Sequence, residues 1–245
     1  MAVHALCKDY PLADGGVLPV LRDLTFSVPA GSIISIIGPS GCGKSTLLRI
    51  LAGVDSSFEG GVGPSRADCL IGYMQQEEAL LPWRDVLRNT TLGLELIGQS
   101  FEQAAEAARS MLSLVGLGRW SKRYPAELSG GMRRRVQLAR TLVLPSSLVL
   151  LDEPLVHLDI EAKTQLASII RRSVTERHSV GILVTHSIEE VLSVADECIV
   201  LTSRPAEIFA RIALKRRPES GALPDGSTGY LFQQIATALH EATLK

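Results

Sequence analysis

Ser32-Ile33-Ile34-Ser35-Ile36-Ile37-Gly38-Pro39-Ser40-Gly41-Cys42-Gly43-Lys44-Ser45 is the stretch on which the fold turns. Its first six residues are β-branched and apolar apart from two serines, the composition of a strand buried inside a parallel sheet. Residues 38–43 hold three glycines and predict a loop. Residues 44–52 then show helical spacing through Leu47, Leu48 and Leu51, closed by Gly53. Strand, glycine loop and helix together match the phosphate-loop pattern G-x-x-x-x-G-K-[ST]. Chance would assemble those four residues in roughly 1% of chains of this length.

The chemistry explains each position. Gly38, Gly41 and Gly43 let the backbone wrap until its N–H groups face a triphosphate, with Pro39, Ser40 and Cys42 completing the loop. The helix that follows adds its positive dipole end. Lys44 sets a cation against the β- and γ-phosphates, the Ser45 hydroxyl is suited to Mg²⁺, and Thr46 continues the first helical turn.

Two β-type runs, 4–8 and 20–28, come before this unit, and 69–74 reads as another strand. From 83 to 124 the texture becomes Ala-, Leu- and Glu-rich with helical spacing, clearest over 101–115 and ended by Gly116 and Gly118. A further helical run covers 133–144. Strands at 147–151, 181–185 and 198–202 then alternate with helices at 160–177 and 188–195, which implies an α/β domain with a largely parallel sheet. A strand at 207–214, a Pro/Gly/Ser-rich link and an amphipathic helix at 229–242 end the chain.

Ser147-Leu148-Val149-Leu150-Leu151-Asp152-Glu153-Pro154 puts two acids at the C-terminal end of a buried strand, the sheet edge where ligands sit. Asp152 is suited to hold Mg²⁺ through a water. Glu153 can accept a proton from the water that attacks the γ-phosphate. Alone, such a pair reads as a solvated loop; beside a phosphate loop it points to hydrolysis.

With Leu128-Ser129-Gly130-Gly131-Met132 added to these motifs, the sequence resembles the ATP-binding cassette family of ATPases over nearly its whole length. The resemblance implies an α/β phosphate-loop cassette with a mainly parallel core sheet, an N-terminal antiparallel β lobe and an inserted α-helical lobe. On that plan 1–245 is one domain, with a core at about 1–82 and 145–215, the helical lobe at about 83–144 and a tail at about 216–245. It implies ATP and Mg²⁺ as ligands, and a second cassette subunit, identical on the simplest reading, whose Ser129, Gly130 and Gly131 would contact the γ-phosphate held by the first. Gln76 corresponds to the family's Q-loop glutamine, with Gln75 where relatives carry an aromatic. His186 looks like the switch histidine, Asp159 the D-loop acid at the dimer seam, and Tyr10 the aromatic that stacks on adenine. Met132, His157 and Ser187 depart from the family's commoner residues.

Leu80-Leu81-Pro82-Trp83-Arg84, Pro145 and Ser203-Arg204-Pro205 resemble the nitrate, sulfonate and taurine importer branch. Such a subunit would lie on the cytoplasmic side of the plasma membrane, driving an integral permease fed by a solute-binding protein. An exporter ATPase and a non-transport cassette ATPase are the alternative readings.

Composition agrees. Hydrophobic residues are 46% and charged residues 21% of 245, as in a folded globular chain. The balance of 25 Lys+Arg and 26 Asp+Glu gives no broad electrostatic attraction for nucleic acid or an anionic bilayer. No apolar run approaches the roughly 20 residues that span a membrane, and Met1-Ala2-Val3-His4 does not open a signal peptide, so cytoplasmic residence is expected. Cys7, Cys42, Cys69 and Cys198 show no CxxC spacing, which argues for reduced thiols over zinc or disulfides.

Overall fold

Every residue of the strand Ile33–Ile37 (β3) is buried, and the fold is built around it. The computed structural model describes residues 1–63, 69–217 and 221–245. β3 lies between Val180–Val184 (β7) and Glu197–Leu201 (β8), parallel to both. Outside β7 come Leu148–Asp152 (β6) and then Ile71–Met74 (β5), also parallel. Ile208–Ala213 (β9) closes the other edge, antiparallel to β8, giving the order β5-β6-β7-β3-β8-β9. β3, β6 and β7 are continuously buried because helices cover both faces, and each fully buried isoleucine of β3 contributes about 1.5–3 kcal/mol.

The parallel arrangement has one consequence for function. The C-terminal ends of β3, β5, β6 and β7 leave the sheet on the same edge, so four loops distant in sequence meet there. Lys44–Leu51 (α1) starts from that edge, and its buried face is Leu47, Leu48, Ile50 and Leu51.

A second, antiparallel sheet has the order β2-β1-β4, from Ala2–Pro11 (β1), Val17–Ser27 (β2) and Glu59–Gly63 (β4). β4 was not anticipated from sequence. β1 is longer than the expected 4–8 because it pairs on both sides, with several register shifts.

Between β5 and β6 lie Val86–Leu96 (α2), Phe101–Leu114 (α3) and Gly130–Leu142 (α4). Asp85 caps α2, and Ser100 with Gln103 forms a capping box on α3. Gly116, at φ +75, takes the chain out of α3. α4 begins at Gly130 rather than 133, because Ser129 is its N-cap and accepts the Met132 N–H. These helices share one apolar core with the sheet face formed by Ile33, Val149, Leu151 and Leu183.

Ile160–Glu176 (α5) and Ile188–Val194 (α6) follow β6 and β7. The final helix, Ser227–Thr243 (α7), is longer than expected and seals a small core against β8 and α6 through Leu231, Ile235 and Ala238. Part of the expected Pro/Gly/Ser-rich link, residues 218–220, lies outside the described residues. Among the described residues no helix is long and apolar enough to cross a membrane.

Candidate functional site

Gly43 has φ +122, and a Cβ there would sit 2.8 Å from both Leu21 Cδ2 and Val20 Cγ1. β2 thus supports the loop from below, and only glycine fits. Gly41, at φ +75, supplies the other left-handed turn. Lys44 folds back over the loop, its Nζ donating to the carbonyls of Gly38 and Pro39 at 2.8 Å each and lying 3.9 Å from the buried Cys42 Sγ. A cleft of about 350 Å³ opens here. Its near wall is Ser40, Gly41, Gly43, Lys44, Ser45 and Thr46; its far wall includes Gln76, Asp152 and Glu153.

Asp152, the last residue of β6, is 2% exposed. Burial pushes its carboxyl above the ordinary aspartate range, the bond from the Ser45 hydroxyl pulls it back, and neighbouring Glu153 pushes it up again. Its Oδ1 is buried with no hydrogen-bond partner. An orphaned acidic oxygen is costly and calls for a cation or water, so Ser45, Asp152 and Gln76 fit a Mg²⁺ site.

Glu153 is anchored by its N–H, which donates to Val184 O at 2.9 Å. Its φ of +52 is left-handed, uncommon for a residue with a Cβ, and costs about 1–2 kcal/mol. Oε1 lies 2.8 Å from His186 Nδ1, while Oε2 is buried without a partner. One oxygen is therefore positioned and the other is free to take a proton.

His186 is largely exposed, but its loop is fixed. Thr185 Oγ1 donates to Glu190 Oε2 at 2.7 Å and accepts from the Ser187 N–H at 3.1 Å. Glu190 is 4% exposed and pairs with Lys163 at 3.2 Å. Ser187, an unexplained departure in the sequence, is the N-cap of α6 and accepts the Glu190 N–H.

Two arginines stand at the site that the sequence did not place there, Arg204 having been read only as part of Ser203-Arg204-Pro205. Arg134 is 5% exposed and donates to the carbonyls of Gln75, Gln76, Asp152 and Glu153. Burial lowers its pKa from the ordinary arginine value, and the carboxylates of Asp152 and Glu153 oppose that fall. Arg204 borders the cleft and donates through Nε and Nη2 to Gly41 O.

Other expected site residues are not walls of this cleft. Ser129 and Gly130 are exposed at the start of α4, whose first N–H groups have no intrahelical partner. A Cβ on Gly131 would lie 3.1 Å from Leu158 Cδ2, so this glycine packs on the loop leading to α5. Gly130 instead lines a neighbouring cavity of about 520 Å³ with Gln76, Glu153, His157 and His186. Asp159 caps α5, accepting the Ala162 N–H at 2.8 Å, and its side chain is largely exposed. Tyr10 donates its hydroxyl to Asp55 at 3.1 Å, and Lys8 Nζ covers its ring at 4.4 Å from the centroid.

The glycine-wrapped lysine and the paired acids on a parallel sheet edge define a class, the phosphate-loop nucleoside triphosphatases. Comparison with known proteins goes further. The family described as "ABC transporter" matches residues 21–156. The chain is 41% identical over 193 residues to the "Uncharacterized ABC transporter ATP-binding protein YtlC" of Bacillus subtilis (strain 168), covering 77% of this chain and 74% of that one. It is 38% identical over 210 residues to the "Taurine import ATP-binding protein TauB" of Escherichia coli (strain K12), covering 82% and 81%. Its fold matches the dimeric structure of a post-hydrolysis state of the ATP-binding cassette MJ0796 bound to ADP and Pi, with a TM-score of 0.78, 24% identity and coverage of 88% and 99%. The chain belongs to the ABC transporter family as an ATP-binding subunit, and it hydrolyses ATP in the service of transport.

Proposed function

We propose that this chain is the motor of a membrane importer for a small anion or zwitterion such as a sulfonate, taurine or nitrate. Two cassettes, identical on the simplest reading, close around two ATP molecules at the cytoplasmic face of the membrane and drive a permease served by a solute-binding protein. The observation that carries this is the division of the anion-binding groups. The phosphate loop, Asp152 and Glu153 line one cleft, while Ser129 and Gly130 are exposed at the start of α4 and are not among its walls. A second copy can use what the first leaves unused.

The residues take these roles. Loop residues Gly38 to Gly43 wrap the phosphates, Lys44 exchanges its carbonyl partners for phosphate oxygens, and Thr46 closes the turn. Ser45, Asp152 and Gln76 would hold Mg²⁺, which when bound would neutralise charge on the triphosphate. Glu153 Oε2 receives the proton of the attacking water, and His186, held through Oε1, contacts the γ-phosphate. Tyr10 stacks on adenine, and Asp159 lies at the seam between subunits. The chain acts as one cassette, its helices 83–144 forming the lobe that meets the permease.

Similarity to the taurine import protein supports the importer reading, as does the turn at Leu81-Pro82-Trp83. Asn89, fully buried, exchanges hydrogen bonds with both the N–H and the carbonyl of Leu81 and also binds Arg84 O, leaving Trp83 72% exposed. A rigid turn presenting a tryptophan suits docking of a protein partner.

The test uses Glu153→Gln with ATP and Mg²⁺, followed by light scattering. Dimers that appear only with ATP are expected, and a monomer at saturating ATP would overturn the motor. A strain lacking this chain should lose uptake of labelled taurine, alkanesulfonate or nitrate; unchanged uptake of all three removes the proposed solutes.

A further inference from the structure

α4 carries three consecutive arginines with three different surroundings. Arg133 pairs with Glu78 at 2.7 Å near the surface, and Arg135 lies 4.0 Å from Asp159. Arg134 turns inward because 134, 137, 138 and 141 form one buried helical stripe. Its guanidinium is a flat fork with donors on both arms. One arm, Nη1, donates to the carbonyls of Gln75 at 3.1 Å and Gln76 at 2.8 Å. The other arm, Nη2, donates to the carbonyls of Asp152 and Glu153.

These acceptors belong to two loops at the ends of adjacent strands. The β5–β6 ladder runs only as far as Met74 opposite Leu151. Beyond that pair, the fork of Arg134 spans from one loop to the other. Gln137, one turn along α4, adds a second tie by donating Nε2 to Glu77 O at 2.8 Å. Burying this charge costs desolvation, which the bonds to four carbonyls offset. What the fork supplies is a fixed distance.

We propose that Arg134 is a positioning residue for hydrolysis, holding Gln76 and Glu153 at one spacing and making both follow α4. The helix starts at Ser129, the end offered to the second cassette, so docking there is transmitted to both groups through one rigid side chain. The inference rests on the roles given to Gln76 and Glu153 above, and the variants below separate its failure from theirs.

Arg134→Lys keeps the charge but replaces the fork with a point donor that cannot serve both loops. Arg134→Gln is the second variant, for use if lysine prevents folding. Both are read on the purified full-length chain with Mg²⁺ and ATP. The expected result is a kcat lowered on the order of 10- to 100-fold, since displacement of about 1 Å costs that much, with the Kd for ATP held within about 3-fold. A merely structural residue would weaken binding and turnover together.

The decisive reading is coupling. Combined with Gln76→Ala, the Arg134 change should lower kcat by less than it does alone, because the share that acts through Gln76 is already lost and only the share through Glu153 remains. Unchanged kcat in Arg134→Lys overturns the proposal, as does a loss that multiplies fully with that of Gln76→Ala. Turnover by Glu153→Gln would instead sink the reading of Glu153, and it is seen in a different variant.

Discussion

Replacing Glu153 by glutamine should make the protein more stable while stopping its chemistry. Glu153 is 8% exposed, and its Oε2 has no hydrogen-bond partner, so the carboxylate is only half satisfied. Leaving a buried polar atom unpaired costs about 1–3 kcal/mol, more when it is charged. The amide keeps the shape and the oxygen facing His186 and leaves an unpaired NH2 where Oε2 was, so only the charged part of the cost is recovered. The φ of +52 is unchanged, so no backbone strain is released. The contact with the exposed His186, weakened by losing its charge, offsets less than about 1 kcal/mol. The net gain is about 1 kcal/mol, which in a chain of this size raises Tm by roughly 2–4 °C. Loss of the proton acceptor should lower kcat by about 10²- to 10⁴-fold. Calorimetry without nucleotide or Mg²⁺ reads the first effect, and phosphate release reads the second. A lower Tm would show that the carboxylate is a supporting group; near-normal turnover would show that another group takes the proton.

Ser35→Ala should also stabilise, by about 1 kcal/mol, because the Ser35 hydroxyl is fully buried in β3 without a partner; a lower Tm in thermal melts would contradict this. Gly43→Ala should cost about 2–5 kcal/mol, combining φ +122 with overlap on Leu21 and Val20, and should abolish ATP binding in an equilibrium titration; an unaltered Kd would mean the loop can shift. Asp55→Asn should destabilise by about 2–4 kcal/mol at pH 7 by stranding Lys8, itself 4% exposed. Although burial pushes the Asp55 pKa up, the bonds from Lys8, the Ser57 N–H and Tyr10 hold it below the ordinary aspartate value. Its stabilising effect is therefore present above the unfolded pKa of about 3.9 and fades as pH falls through the lower folded value. The gap between denaturant melts of the two proteins should begin to close below about pH 4, and a gap constant with pH would refute the ion pair's role.

The core of the fold was legible because its signals are local. Residues 32–46 carry strand, loop and helix in consecutive periodicities, and the apolar runs before Asp152 and His186 mark the other strands at that edge. β4 was not legible: Gly60, Gly61 and Gly63 leave it almost no pattern, and it exists because β1 offers Ala2, Val3 and His4 as ladder partners. The start of α4 was placed three residues late because glycines argue against helix, whereas the Ser129 cap makes Gly130 and Gly131 its first turn. Arg134 was missed for a different reason. In a run of arginines nothing local separates one from the next, and only the phase shared with Gln137, Leu138 and Thr141 marks the buried one. Arg204 meets Gly41 across 163 residues, a proximity no local pattern encodes.

Glu190 joins parts of the molecule that are otherwise far apart along the chain. Lys163, which pairs with it, stands one helical turn beyond Asp159 and bonds back to it through the backbone. Thr185, on the other side of the same carboxylate, is the immediate neighbour of His186. Asp159, proposed for the subunit seam, and His186, proposed to meet the γ-phosphate, are thus opposite ends of one short strut, with a half-buried ion pair as its pin. The strut is made of side chains and loop backbone, with no strand of the sheet in it.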